Sequence, residues 1–251
     1  MTMHIETKTK IEVNIKTSIM IMICLSDGRI IIVEESGNVY LLTSDGKLQK
    51  QLPIPGNAFC VTQISKNTIA ISYPDELTIK IFNIEDETVT KVIKLNSCCC
   101  GLSFVNESLV GLGSNEIRII DLEGNTLKSL QVQNKLILQY LVYSDDRVIY
   151  SDHFGNAVNC IDRSGQQIWQ YKQDLSGPEG LCTDTSSNII VADLSSKIIV
   201  ISKGGQGSKV LVRKEDGLKY PKCIYFRNNE SYGFVCNRTC KYLAKYNLSY
   251  D

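Results

Sequence analysis

The residues of this chain whose types and spacing could do chemistry are thiols, carboxylates and one run of basic and aromatic side chains. Cys98-Cys99-Cys100 and the pair Cys236 and Cys240 are the thiol clusters that could bind a metal. Zinc needs several converging donors, and consecutive residues on a strand point to opposite faces, so the triplet cannot close on one ion from a regular strand. Asp75, Asn115, Asp152 and Asp193 follow apolar runs, and such oxygens could hold a divalent cation for a lactonase-type, metal-dependent hydrolase. A carboxylate at the end of a strand also caps a loop by accepting backbone N–H bonds. His4 and His153 are the two histidines, and neither sits in a Ser-His-Asp or Cys-His arrangement. Towards the C-terminus Lys219, Lys222, Arg227, Arg238, Lys241 and Lys245 interleave with Tyr220, Tyr225, Phe226, Tyr232 and Tyr242. Basic groups beside aromatic rings suit single-stranded RNA. The same pattern arises when strand aromatics alternate into a core and their lysine neighbours face water.

The elements that must position these groups repeat about every forty residues. Polar turns at Asp27-Gly28, Lys66-Asn67, Asn106-Glu107, Asp145-Asp146, Ser187-Asn188 and Asn228-Asn229 each separate two apolar runs. A second set keeps the same interval: Ser44-Asp45-Gly46, Glu85-Asp86, Glu123-Gly124, Arg163-Ser164-Gly165 and Gly204-Gly205. Four short strands per repeat of this length predict an all-β fold, a six-bladed β-propeller of four-stranded antiparallel blades occupying residues 1–251 as a single domain.

Within the fifth repeat, Ile189 to Ala192 and Ile198 to Ile201 are apolar almost without alternation, as strands covered on both faces should be. Fourth strands read differently. Lys47 to Leu52, Thr88 to Lys94 and Thr126 to Gln131 alternate apolar with Lys, Gln or Thr, which suits an outer strand with a free edge. The last repeat, ending at Tyr246, lacks such a strand, and Lys10 to Lys16 has the outer pattern without partners of its own. Residues 10–16 are therefore expected to supply the outer strand of the last blade.

Lys plus Arg and Asp plus Glu both number 27, which argues against a bulk polyanion binder, although the C-terminal quarter is the more basic. Ten cysteines without a leader of the secretory type, several of them inside apolar strands, predict free thiols in a reducing compartment, hence a cytoplasmic protein. The apolar run Ile19 to Leu25 is too short to cross a bilayer, so no membrane association is expected. Gly165 to Trp169 is similar to the Gly-x-x-x-Trp turn of quinoprotein propellers; occurring once, it predicts Trp169 packed between blades rather than a quinone.

Pro178-Glu179-Gly180-Leu181 followed by Asn188-Ile189-Ile190-Val191-Ala192-Asp193 resembles the NHL repeat, and Asp146 to Asp152 with Asn156 to Asp162 is a second, weaker copy. In the first repeat Glu34 replaces the expected Asp, and repeats one to three lack the Pro-x-Gly lead-in. With Ile64 to Ile71 and Ser103-Phe104, the chain resembles the C-terminal propellers of invertebrate tripartite-motif (TRIM) proteins. That resemblance implies recruitment of a protein partner or ubiquitination substrate, or of RNA, on behalf of a RING-type E3 ubiquitin ligase. The RING finger itself is absent from these residues, since its zinc ligands are not here.

The resulting expectation is a non-catalytic, monomeric recognition module without cofactor or metal. Its partner-binding residues would be Tyr73, Asp75, His153, Phe154, Tyr220, Lys222 and Arg238, on the loops joining strands b to c and d to a. The alternative is an RNA-binding surface of Lys219, Lys222, Tyr225, Arg227, Arg238 and Lys241.

Overall fold

The computed structural model describes residues 3–13, 15–113, 116–132, 140–226, 232–237 and 242–250. The first strand, β1 (Met3–Glu12), precedes the repeats. The first repeat folds as β2 (Ile19–Cys24), β3 (Ile30–Glu34), β4 (Val39–Leu42) and β5 (Leu48–Gln51). The second is β6 (Cys60–Ser65), β7 (Thr68–Tyr73), β8 (Thr78–Asn83) and β9 (Thr88–Lys94), and the third β10 (Gly101–Val105), β11 (Ser108–Leu112), β12 (Glu116–Asp121) and β13 (Thr126–Gln131). The fourth comprises β14 (Leu141–Ser144), β15 (Arg147–Asp152), β16 (Ala157–Asp162) and β17 (Gln167–Tyr171). The fifth holds β18 (Pro178–Thr183), β19 (Ile189–Asp193), β20 (Lys197–Ile201) and β21 (Ser208–Val212), and the sixth β22 (Pro221–Phe226), β23 (Tyr232–Asn237) and β24 (Tyr242–Tyr250). Each repeat is a meander of hydrogen-bonded neighbours, and the fold is an all-β six-bladed β-propeller. No helix among the described residues is long and apolar enough to cross a membrane.

The chain packs as two compact units, residues 20–143 and residues 1–19 with 144–251. In the second of these, β1 pairs antiparallel with β24 and completes the sixth sheet in the order β1-β24-β23-β22. The added strand runs from Met3 to Glu12 rather than over residues 10–16. Val13 and Ile15, whose apolar character suggested continued alternation, are buried in the connection that follows, where the Ile15 N–H donates to the Val13 carbonyl at 2.8 Å. Burial outweighed strand periodicity there.

Polarity sorts the strands within a blade. Every residue of β3, β4 and β19 is buried, whereas β5, β9 and β13 are mostly exposed. Fully burying a Val, Leu or Ile side chain is worth about 1.5–3 kcal/mol, so the inner strands carry the stability of each blade. Between the fifth and sixth blades, Cys182, Ile190 and Ile198 pack with Ile224, Phe226 and Val235 in one cluster. On the outer side of the fourth blade, Trp169 is buried and its Nε1–H donates to the Lys203 carbonyl at 3.3 Å, packing between blades four and five.

The turns are fixed by side-chain carboxylates. Asp121, Asp162 and Asp184 each accept two backbone N–H bonds, from Glu123 and Asn125, Ser164 and Gln166, and Ser186 and Asn188, all at 2.7 to 3.0 Å. The Asn125 amide above all holds the Asp121 carboxyl below its usual range, and the Ser164 hydroxyl does so for Asp162.

Candidate functional site

Four loops of the unit containing blades four to six converge on an open cleft of about 490 Å³. The loop from β15 to β16 brings His153, Phe154 and Asn156, and the loop from β17 to β18 brings Ser176 and Gly177. Leu194 and Ser195 come from the β19 to β20 loop, and Tyr220 from the loop before β22. These are b-to-c and d-to-a connections, the face on which the sequence places recognition.

Two buried carboxylates build the cleft from beneath. Asp193 is fully buried and accepts the Ser176 N–H at 2.8 Å and the Ser195 N–H at 3.0 Å, together with the Ser195 hydroxyl, so it ties two of the four loops together. Glu179, the variable residue of the Pro-x-Gly-Leu segment, is 6% exposed and approaches the His153 Nδ1 at 3.4 Å. Asp152 accepts the Gly155 N–H at 2.9 Å, which closes the loop carrying Phe154. Burial first, and the Asp152 charge second, push the neighbouring Tyr150 phenol up to about 12. Gly177 stands at φ +82 and donates its N–H to Asn156 Oδ1 at 2.8 Å. A β-carbon there would lie 3.0 Å from His153 Cε1, so the missing side chain lets the imidazole lie against the backbone.

Two aromatic rings stand out from this frame. Phe154 is 67% exposed, and the His153 ring meets it edge to face with centroids 4.8 Å apart. Tyr220 is 57% exposed and takes φ +44, a left-handed conformation rare for a bulky residue, with its N–H held by Ser196 Oγ at 3.2 Å. Backbone strain of this kind costs about 1–3 kcal/mol and persists where the surroundings impose it.

The sequence-predicted residues divide. His153, Phe154 and Tyr220 come together in the cleft. Lys222 lies half-buried on β22 and is not part of the lining. Tyr73 and Asp75 belong to the other unit. Asp75 is exposed on a short 3-10 turn, Pro74–Glu76, but Tyr73 is 1% exposed with Lys80 Nζ 3.8 Å above its ring, so it packs rather than presents a surface. Burial, then Glu76, raise the Tyr73 phenol well above its usual range. Arg238 lies outside the described residues, as do Arg227, Lys241 and Asn115. Asn156, Ser176, Gly177, Leu194, Ser195 and the supporting Glu179 were missed; the Gly177-Pro178-Glu179-Gly180 segment was the signal that could have led to them.

Asp193 and Asp152 cap loops, and Glu34 does the same in the first blade, accepting from the Ser36 hydroxyl at 2.6 Å and the Tyr40 hydroxyl at 3.2 Å. Among the described residues no group of His, Cys, Asp and Glu is arranged to hold a metal ion, and every described cysteine is a free thiol. Of the basic and aromatic run, Lys219 is exposed and Tyr225 half-buried, while Phe226 is buried. Lys10 Nζ lies 4.4 Å from the Tyr242 ring centroid and Lys245 Nζ 4.0 Å from that of Tyr232, so both rings are already stacked by lysine.

The chain is similar to virginiamycin B lyase from Staphylococcus aureus, at a TM-score of 0.71 and 15% identity over 98% of this chain and 99% of that one. It is similarly close to a catalytically inactive form of that lyase with quinupristin, at a TM-score of 0.69 and 15% identity over 98% of this chain and all of the other. The shared property is the fold. No family model and no curated protein matches the chain.

Proposed function

We propose that this chain is a protein-recognition module, without catalytic activity of its own, that binds a partner segment in the cleft of blades four to six. The observation that carries the reading is the pair of exposed aromatic side chains, Phe154 and Tyr220, held over a preformed cleft, one of them at a backbone angle that costs energy to maintain. Exposed aromatics in a rigid setting are the anchors that protein interfaces use. RNA has less support, because of the rings expected to stack on bases Phe226 is buried and Tyr232 and Tyr242 are already covered by lysines, while the exposed Tyr220 lines the cleft. The reading goes with a reducing, cytoplasmic setting, in which free buried thiols persist.

The test is selection of random phage-displayed peptides on the wild-type protein and on the Phe154→Ala/Tyr220→Ala double variant. Enrichment of a common motif on the wild type that the double variant does not retain is expected; enrichment indifferent to the two substitutions, or none at all, would refute the proposal. Because a similar structure is a lyase by name, incubation with quinupristin followed by mass spectrometry tests the non-catalytic half. The compound should stay intact, and a cleaved product would overturn that half. The narrower assignment, substrate recognition within a tripartite-motif ubiquitin ligase, rests on the Pro178 to Leu181 and Asn188 to Asp193 resemblance. A RING finger and B-boxes encoded in frame upstream would support it, and an in-frame stop codon directly upstream would exclude it.

A further inference from the structure

The cleft contains a group whose hydrogen-bonding sense is set by its surroundings. His153 Nδ1 is cut off from solvent and makes no hydrogen bond, and Glu179 Oε1 lies 3.4 Å away with its side chain 7% exposed. With a buried carboxylate oxygen 3.4 Å away, a lone pair on Nδ1 would be repelled and an N–H attracted, so the proton of the neutral imidazole belongs on Nδ1. Gly177 lies against the Cε1 and Nδ1 edge of the ring, since a β-carbon on it would stand 3.0 and 3.3 Å from those atoms. His153 lines the cleft with its side chain 31% exposed, and with Nδ1 shut off and Gly177 beside Cε1 that exposure is left to the remainder of the ring, Nε2 included.

We propose that His153 presents Nε2 to the cleft as a hydrogen-bond acceptor, and that the cleft takes an aromatic side chain carrying its own donor, a tyrosine hydroxyl or a tryptophan N–H, from the partner protein. The inference rests on the recognition reading and names its ligand chemistry. Phe154 and Tyr220 supply faces and edges for a third ring, and the T-shaped contact of Phe154 on His153 holds the acceptor beside them. Ser176 and Ser195 are already committed through their backbone N–H groups to Asp193, which keeps the opposite wall in place when the ring enters. A cationic side chain is the weaker fit, because the carboxylates beneath the cleft are buried and engaged, Asp193 by the Ser176 and Ser195 N–H groups and Glu179 beside His153, while exposed Lys219 next to Tyr220 puts like charge at the rim. Glu179 acts here through His153, as a positioning residue.

The probes are p-cresol, its methyl ether 4-methylanisole and n-butylammonium, titrated into the 15N-labelled full chain at pH 8 and followed by long-range 1H–15N NMR of the imidazole. Two histidines make the assignment simple, and a His4→Gln variant removes the second. The free protein should show a protonated Nδ1 and an unprotonated Nε2. p-Cresol should shift Nε2 and bind about fivefold more tightly than the ether, the worth of one neutral hydrogen bond. Glu179→Gln, whose amide can donate to Nδ1, should move the proton to Nε2 and abolish that preference. A protonated Nε2 in the wild type, equal affinity for phenol and ether, tighter binding of the ammonium, or no binding of any probe would each overturn the inference. The wild-type measurements need no variant to fold. Any of these failures leaves the peptide selection, and its dependence on Phe154 and Tyr220, standing as a separate result.

Discussion

Replacing Gly180 by alanine should destabilise the protein through a contact that has nothing to do with its backbone angle. Strand β18 crosses so close to β22 that a β-carbon on Gly180 would lie 2.6 Å from the Lys222 carbonyl oxygen, 3.0 Å from Cys223 Cα and 3.1 Å from Ile224 N. All three are backbone atoms and cannot rotate away. Ordinary contact begins at 3.4 Å, so the two strands must part by roughly 0.8 Å, and they carry Leu181, Cys182, Cys223 and Ile224, all buried. Overpacking of this kind costs about 1–3 kcal/mol, offset by about 0.5 kcal/mol because alanine loses less chain entropy on folding. A net cost of about 1.5 kcal/mol corresponds to a fall of about 3–6 °C in melting temperature for a chain of this size. The control is Gly207→Ala, where nothing lies within 4 Å of the added carbon. Thermal unfolding followed by circular dichroism should separate the two variants clearly, with Gly207→Ala within about 1 °C of wild type. Equal melting temperatures for both would refute the claim that the NHL-like glycine exists to let neighbouring blades touch backbone to backbone.

Other perturbations follow from the same structure. Asp193→Ala strips the Ser176 and Ser195 N–H groups of their acceptor and should cost about 2–4 kcal/mol, with faster amide exchange at those two positions; unchanged exchange there would show the carboxylate is not what ties the loops. Deleting residues 1–12 removes β1 and its stacked Lys8 and Lys10, leaving the β24 edge open; the truncated chain should melt lower and associate, and an unaltered melting curve in a monomeric species would count against the pairing. Burial raises the thiols of Cys60 to about 11 and of Cys100 and Cys182 to about 12, from a usual 9.0. Since the folded state holds these protons above the unfolded pKa, their contribution is complete below about pH 9 and is lost as pH rises towards 11 and 12. Stability should therefore fall on the alkaline side, and a thiol reagent at pH 8 should react with these cysteines far faster in urea than in the native protein.

What could be read from the residues was whatever repeats. The a-to-b turns from Asp27-Gly28 to Ser187-Asn188 and the c-to-d turns fall between strands as spaced, because a four-stranded meander forces polar turns at fixed intervals. Asn228-Asn229 lies outside the described residues. The bounds of β1 were not legible, because Val13 and Ile15 satisfy a strand pattern and a buried connection equally well. In the cleft, Phe154 and Tyr220 could be found as aromatics at loop positions, whereas Glu179 could not. Its approach to His153 joins two blades, and no local pattern encodes which loop will face which. Tyr73 shows the converse, an aromatic at a b-to-c turn that turned inward under Lys80.

The pairing of β1 with β24 joins residues some 240 positions apart, as in Met3 opposite Tyr250. On the ribosome, β1 is thus left without its hydrogen-bonding neighbour until β24 has left the exit tunnel. Nucleation must start among inner meanders with short loops, and the sixth sheet is the slowest to form. The charged residues of β1, Glu6, Lys8, Lys10 and Glu12, fit that interval, since charged side chains keep an unpaired strand from seizing another nascent chain.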